Sequence, residues 1–504
     1  MTKSASKQRV PAPPKGVSDF VATKARKRRA TQRALAEIGT PKRRNDFAPP
    51  LELLTVPTKD LKPTSRQIRR RDTVQSAKID ASIGKFGVCR PILISADRTI
   101  VEGHGIWEAA KRLGVTEVPC IVIDHLDANE LRLLPMALNR IAETGAWEVE
   151  ALRLEFEELI VLGEDISATA FEMAEIDTLL LKDCDDASGA ELDVPPSPPQ
   201  IATSRRGDVW ILGDHRLIQG DARQPEVYAL LMWEGELATF VLTDPPYNVP
   251  NVGHVTGNAD HREFACAHGE MSREEFANFN RAWMAVGLTY LIDGGLVLSC
   301  IDWRSVEIIL ACGRELGLEL FNFIVWSKTN GGQGSLWRSQ HELLPVFKKG
   351  GAPHINNVEL GRHGRWRSNV WRYPGASSLG SDSRDGLALH PTVKPRAMLE
   401  DALLDVTNRD DIVLDCFAGS GSTLLAAEAT GRRCRAIEID GPYCDVIIAR
   451  WRQMTGCDAV LETTGESFAE VAARRAAEAE SSTTPSTSTQ AARDPRPDFR
   501  GAPR

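Results

Sequence analysis

The chain has 504 residues, of which 42% are hydrophobic and 26% charged, with a formal net charge of -8 at pH 7. That length is expected to hold more than one domain, and that composition excludes fibrous, wholly disordered and disulfide-scaffold classes. No apolar run reaches membrane-spanning length and the basic N-terminus lacks a secretory apolar stretch, so a cytoplasmic protein is expected. Ten cysteines without a Cys-x-x-Cys pair read as reduced thiols.

Residues 1–48 carry thirteen Lys/Arg against Asp19, Glu37 and Asp46. They read as a basic disordered arm able to hold a polyanion without sequence preference. Residues 49–140 have the pattern of a small α/β domain. Pro91–Ile94 and Thr99–Glu102 read as strands, Gly103-His104-Gly105 as a turn, Ile106 to Leu113 as a helix stopped by Gly114, and Val118–Ile123 as another strand. Residues 141–200 are acidic, with sixteen Asp/Glu between 143 and 199 against Arg153 and Lys182, and helical periodicity runs over 151–162 and 170–181. Pro195-Pro196-Ser197-Pro198-Pro199 predicts a stiff linker and a domain boundary near 200. From 201 to 465 apolar strand-like runs alternate with helical patterns, which predicts an α/β doubly wound sheet. Residues 466–504 read as a helical extension and a Ser/Thr/Pro-rich disordered tail.

Two stretches of the second half carry chemistry. Asp244-Pro245-Pro246-Tyr247 follows the apolar run Ala238–Leu242. The prolines end the strand and leave free carbonyl acceptors beside one carboxylate and one ring, a set suited to a planar group with an exocyclic amine. Farther on, a strand over 411–417 leads into the glycine turn Ala418–Thr423 and a helix to Thr430. Glu438 and Asp440 end the next strand about twenty residues beyond the first glycine, where a carboxylate can take the ribose hydroxyls of an adenosine group. The turn lacks the G-x-G-x-x-G pattern of a dinucleotide site.

Together these motifs resemble the amino-group DNA methyltransferases of the permuted beta group, over residues 205–455. The resemblance implies a Rossmann-like methyltransferase domain, S-adenosylmethionine as cofactor and double-stranded DNA as partner. It implies that Asp244, Pro245, Pro246 and Tyr247 are catalytic, acting on a base flipped out of the duplex. The cofactor residues it implies are Asp221, Thr392, Lys394, Asp415, Phe417, Ala418, Gly419, Ser420, Gly421, Ser422, Thr423 and Glu438. Ile324–Lys328 and His341-Glu342 resemble the elements that face the target base. In this family Asp-Pro-Pro-Tyr is associated mainly with the N6 of adenine; the N4 of cytosine is the alternative.

DNA contacts are expected from Asn248, Lys328, Arg338, His341, Arg365, Arg367 and Arg372. Most of these lie in the basic stretch 329–389, interleaved with Trp337, Trp366, Trp371 and Tyr373, which reads as a target-recognition region. His254, His261, Cys266 and His268 match no zinc-finger spacing, so no metal is expected and the segment reads as a loop closing over DNA. The 49–140 pattern resembles the ParB N-terminal domain. His104, Gly105 and Ile106 stand where that family has polar and basic residues, so the resemblance implies a DNA-binding or pairing module without nucleotide hydrolysis. A homodimer, and an orphan methylase of phage or prophage type, complete the expectation. From another class, the alternative is a ParB-type DNA-binding regulator with a non-catalytic methylase half.

Overall fold

The computed structural model describes residues 49, 51–65, 72–181, 194–249, 269–329, 331, 336–361, 365–375 and 393–483. The basic arm, the linker residues 182–193, the His/Cys segment, residues 376–392 and the tail lie outside them. The chain divides into two compact units, Met1–Ala146 and Trp147–Arg504.

The first unit carries β1 (Leu53–Pro57), α1 (Thr73–Phe86), β2 (Ile92–Ile94), β3 (Ile100–Glu102), α2 (His104–Arg112), β4 (Glu117–Val122) and α3 (Ala128–Thr144). Its sheet has the order β1-β4-β2-β3, with β2 parallel to β4 and the other pairs antiparallel. Val56, Ile92, Ile94, Ile100, Ala110, Val118 and Cys120 form the core. The helix starts are set by acids: Asp72 accepts from the Gln75 amide at 2.7 Å, and Asp127 with Glu130 forms a capping box on α3. At Gly103, with φ of 101°, a Cβ would lie 3.3 Å from Ile92, so only glycine turns the chain into α2 here.

The second unit begins with α4 (Val149–Val161), a 3-10 turn (Ile166–Thr169) and α5 (Met173–Leu180), closed over Phe156, Ile166 and Ile176. The division at Ala146 and Trp147 differs from the boundary expected near 200. The physical reason is Asp177 on α5, whose carboxylate accepts from the fully buried Arg432 guanidinium at 2.8 Å and from Arg409 at 3.4 Å. That ion pair joins the acidic helices to the second half of the chain, whatever the stiffness of the proline run.

The remaining elements are β5 (Val209–Leu212), β6 (His215–Gln219), α6 (Pro225–Leu231), β7 (Ala238–Thr243), α7 (Arg273–Thr289), β8 (Leu291–Ser299) and α8 (Val306–Glu315). They continue with β9 (Glu319–Lys328), β10 (His341–Lys348), β11 (Val370–Tyr373), α9 (Arg396–Val406), β12 (Ile412–Asp415) and α10 (Ser422–Thr430). β13 (Arg433–Glu438), α11 (Gly441–Thr455), β14 (Val460–Leu461) and α12 (Phe468–Thr483) complete the unit. Among the described residues the strands form one sheet, ordered β11-β9-β10-β8-β7-β12-β13-β6-β5-β14.

The centre, β8-β7-β12-β13-β6, is parallel; outside it the pairings are antiparallel except that of β11 with β9, which is parallel. On β7, Phe240 and Leu242 enter one apolar cluster while Ala238 and Val241 enter the other. Both faces are therefore covered, as a doubly wound sheet requires. After β7 the chain proceeds to β8 on one side, and after β12 to β13 on the other. The strand order reverses between β7 and β12, and a crevice opens beyond their carboxyl ends. Among the described residues no helix is long and apolar enough to cross a membrane.

Candidate active site

The two sequence motifs leave the sheet side by side at that switch point. Thr243, the last residue of β7, donates its hydroxyl to Asp415 at the end of β12 at 2.8 Å, and the Phe417 amide meets both groups at 3.1 and 3.2 Å. This buried link fixes the distance between the Asp244 corner and the glycine turn. Burial pushes the Asp415 carboxyl up to about 6, against hydrogen bonds from Thr423, Thr243 and the Phe417 amide.

Asp244 stands at the centre of a charged cluster. Its Oδ2 lies 2.6 Å from the Lys394 ammonium, and its Oδ1 accepts from the Tyr247 hydroxyl at 2.7 Å. Tyr247 also lies 3.0 Å from Glu342 Oε2, whose other oxygen accepts from Lys328 at 2.6 Å. Lys394 reaches Glu342 at 3.3 Å and sits 5.4 Å from the Tyr247 ring centroid. Burial raises the Asp244 carboxyl above its ordinary range, opposed chiefly by Lys394. Glu342 pays the same desolvation, but Lys394 and Lys328 outweigh it and hold its carboxyl at about 2. Lys394, expected at the cofactor, thus belongs to the acid corner.

The turn after β12 is built for a close approach. Gly421, with φ of 84°, is packed so that a Cβ would lie 2.9 Å from Ile447, whereas a Cβ on Gly419, with φ of 53°, meets nothing within 4 Å. One glycine seats the helix; the other leaves a concavity open. Glu438 closes its far side, accepting from the Gly419 amide at 2.7 Å and from the Asp440 amide at 2.9 Å. Burial pushes Glu438 up to about 7 in spite of those amides. Ser420 and Ser422 are fixed from behind by buried Arg450, at 2.7 Å to the Ser420 carbonyl and 3.3 Å to the Ser422 hydroxyl. Asp221, following β6, holds the Arg223 amide at 2.9 Å and its guanidinium at 2.7 Å. Ala418 is buried with its amide on Ile437, and Thr392 lies outside the described residues.

A carboxylate at the end of the second strand, an open glycine turn and the amino end of α10 form a set of acceptors and donors that fits an adenosine group whose side chain ends in a carboxylate.

Several expected DNA contacts have other work. Arg365 and Arg367 are turned onto Asp401 and Asp405 of α9, at 2.7 to 3.0 Å. Buried Asp405 and half-buried Asp401, one turn apart on α9, hold them more firmly than a distant phosphate would. Lys349, in the same basic stretch, donates to the Leu288 and Leu291 carbonyls. Asn248, with φ of 57°, accepts from the Gly269 and Met271 amides and donates to the Met271 carbonyl, so its side chain is held by the segment that leads into α7. Lys328 is paired with Glu342. Arg338, His341 and Arg372 are exposed, as are Trp337 at 83% and Trp366 at 81%, while Trp371 is buried.

Residues 238–449 match the family described as DNA methylase. This region of the chain is a DNA methylase domain. Residues 45–138 match the ParB N-terminal domain and 150–206 the ParB-methyltransferase HTH domain, so α4 and α5 belong to a helix-turn-helix module. The type II methyltransferase M2.MboI of Moraxella bovis is 25% identical over 224 residues, 43% of this chain and 81% of that protein. M2.DpnII of Streptococcus pneumoniae is 27% identical over 223 residues, 42% and 81% respectively. Among solved structures, the M1.HpyAVI–SAM complex covers 46% of this chain and 97% of its own, at 21% identity and a TM-score of 0.35.

The methylase domain uses residues that motif reading left outside the site. Thr243 directly precedes Asp244, and Arg450 interrupts the apolar run of α11. In each case the signal is a polar side chain on an otherwise buried element, which requires a partner.

Proposed function

We propose that this chain methylates the N6 amine of adenine in DNA, with S-adenosylmethionine as the methyl donor and the base turned out of the duplex. The carrying observation is the placement of Asp244 beside the glycine turn, through the Thr243–Asp415 hydrogen bond at 2.8 Å. DNA methylases of this family take their methyl group from S-adenosylmethionine, which supplies it already activated on a sulfonium. Glu438 would take the ribose hydroxyls, Asp221 would flank the adenine, and the Phe417–Thr423 turn would receive the rest.

On this reading Asp244 and the Pro245 carbonyl accept the two hydrogens of the base amine, which aims its lone pair at the methyl carbon. The Tyr247 ring stacks on the base, with its hydroxyl held between two carboxylates. As the amine nitrogen gains the methyl group its hydrogens become acidic, and one passes to Asp244. Positioning supplies most of the rate, since the methyl group needs no further activation.

The test is transfer of labelled methyl groups to duplex DNA, followed by mass spectrometry of the nucleosides. N6-methyladenine is expected, and N4-methylcytosine would move the assignment to the alternative amine. Asp244→Ala should abolish transfer and leave DNA affinity intact; undiminished transfer would refute the assigned role, and an inactive wild type would favour the regulator reading. The family resemblance alone supports a cytoplasmic homodimer, which light scattering of the purified protein tests.

A further inference from the structure

The Tyr247 hydroxyl carries one proton yet lies within hydrogen-bond distance of two carboxylates, Asp244 at 2.7 Å and Glu342 at 3.0 Å. It can donate to one of them at a time. Lys394 is divided in the same way, 2.6 Å from Asp244 and 3.3 Å from Glu342, and it also lies 3.2 Å from the Tyr247 oxygen. The ammonium is 8% exposed, so it needs a carboxylate partner at every stage of the reaction. In the arrangement described here both Asp244 oxygens are occupied, one by Lys394 and one by Tyr247. An amine could not displace both partners without leaving a buried cation and a buried hydroxyl unsatisfied.

Resting on the methyltransfer reading above, we propose that Glu342 is a positioning residue that receives Lys394 and Tyr247 when Asp244 turns to the base amine. The exchange needs only small shifts, because Glu342 Oε2 already stands at 3.0 and 3.3 Å from the two donors. Lys328, 2.6 Å from the other oxygen, holds Glu342 in place while this happens. Two carboxylates and two ammoniums leave the cluster neutral both before and after the exchange. In the transfer itself the nitrogen lone pair forms the bond to the methyl carbon as the carbon–sulfur bond breaks toward sulfur. The departing N–H proton goes to Asp244. The groups that face Asp244 are Lys394, Glu342, Tyr247, Cys300 and Asp415.

The test compares the wild-type full chain with Glu342→Gln and Glu342→Asp, measuring single-turnover methyl transfer against pH, cofactor affinity, DNA affinity and Tm. Glu342→Gln keeps the shape and removes the charge. The expected result is a transfer rate at least tenfold lower, with cofactor and DNA affinities unchanged within twofold and partial recovery in Glu342→Asp. The acidic limb of the rate–pH profile should also move to lower pH, because the negative charge of Glu342 raises the Asp244 carboxyl. A Glu342→Gln rate within twofold of wild type, an unmoved acidic limb, or a rate loss that only follows lost folding or cofactor binding would overturn the proposal. A wild-type chain without transfer activity would instead overturn the underlying function.

Discussion

Glu438 makes donor binding depend on pH in a direction the structure sets. Burial pushes its carboxyl up to about 7, against the Asp440 and Gly419 amides. Below that value it is held neutral, and a neutral acid offers a hydrogen where two ribose hydroxyls require acceptors. With the midpoint at about 7, the ionised fraction falls from roughly nine tenths at pH 8 to roughly one tenth at pH 6, so Kd should rise about tenfold, or ~1.4 kcal/mol. The sign for stability is the opposite. A carboxyl raised in the folded state contributes its full stability below its ordinary value and loses it as pH rises through about 7, so the ligand-free protein is favoured on the acid side. Calorimetric titration with S-adenosylmethionine from pH 6 to 8, on wild type and Glu438→Gln, reads the effect. The Gln variant should bind weakly and without this slope. A flat wild-type profile, or an equal slope in Glu438→Gln, would refute the reasoning.

The two turn glycines should part company on mutation. Gly421→Ala adds left-handed strain of roughly 1–2 kcal/mol to a 2.9 Å clash with Ile447, and should lower the urea midpoint clearly. Gly419→Ala carries left-handed strain of roughly 1–2 kcal/mol but meets no neighbour within 4 Å, so it should lose less stability than Gly421→Ala while weakening cofactor binding at least tenfold by titration. Asp177→Ala leaves the fully buried Arg432 without its carboxylate and should cost about 3 kcal/mol in chemical denaturation; the remaining Thr407 and Thr430 carbonyl contacts limit the loss. Arg372→Ala should weaken DNA binding and reduce its salt slope by about 1, while Arg367→Ala should leave that slope unchanged and lower Tm.

The site was legible wherever backbone chemistry dictates residue type. Two prolines can only end β7, and the position of Gly421 admits no Cβ, so both motifs and their strands fall where the pattern puts them. Partner choice was not legible. Arg365 and Arg372 look alike in a basic stretch, but Asp401 and Asp405 become neighbours of the former only through the packing of α9. The partner of Lys394 is hidden for the same reason: its motif names an element, and Asp244, 150 positions earlier, decides where the ammonium goes. In the first unit the glycine turn and the strands around it were readable, whereas α1 and α3, which have few buried residues, gave a weaker pattern.

The helix-turn-helix module bears on how this enzyme meets DNA. Between 149 and 181 it holds nine Asp/Glu against Arg153 alone, and Arg153 is already taken by Glu150 and Glu157. Affinity for duplex DNA is dominated by cations at phosphates, which this surface lacks. Its second helix, the one such modules ordinarily lay in the major groove, instead buries Ala174, Ile176 and Asp177. Asp177 ties the module to the methylase domain through Arg432. On the proposed function, the exposed Arg338, His341 and Arg372 are the candidates for sequence reading, and the thirteen Lys/Arg of residues 1–48 for nonspecific attraction. Removing residues 1–48 should then lower the salt slope of DNA binding without altering the methylated site, whereas charge changes on the outer face of α4 should alter neither.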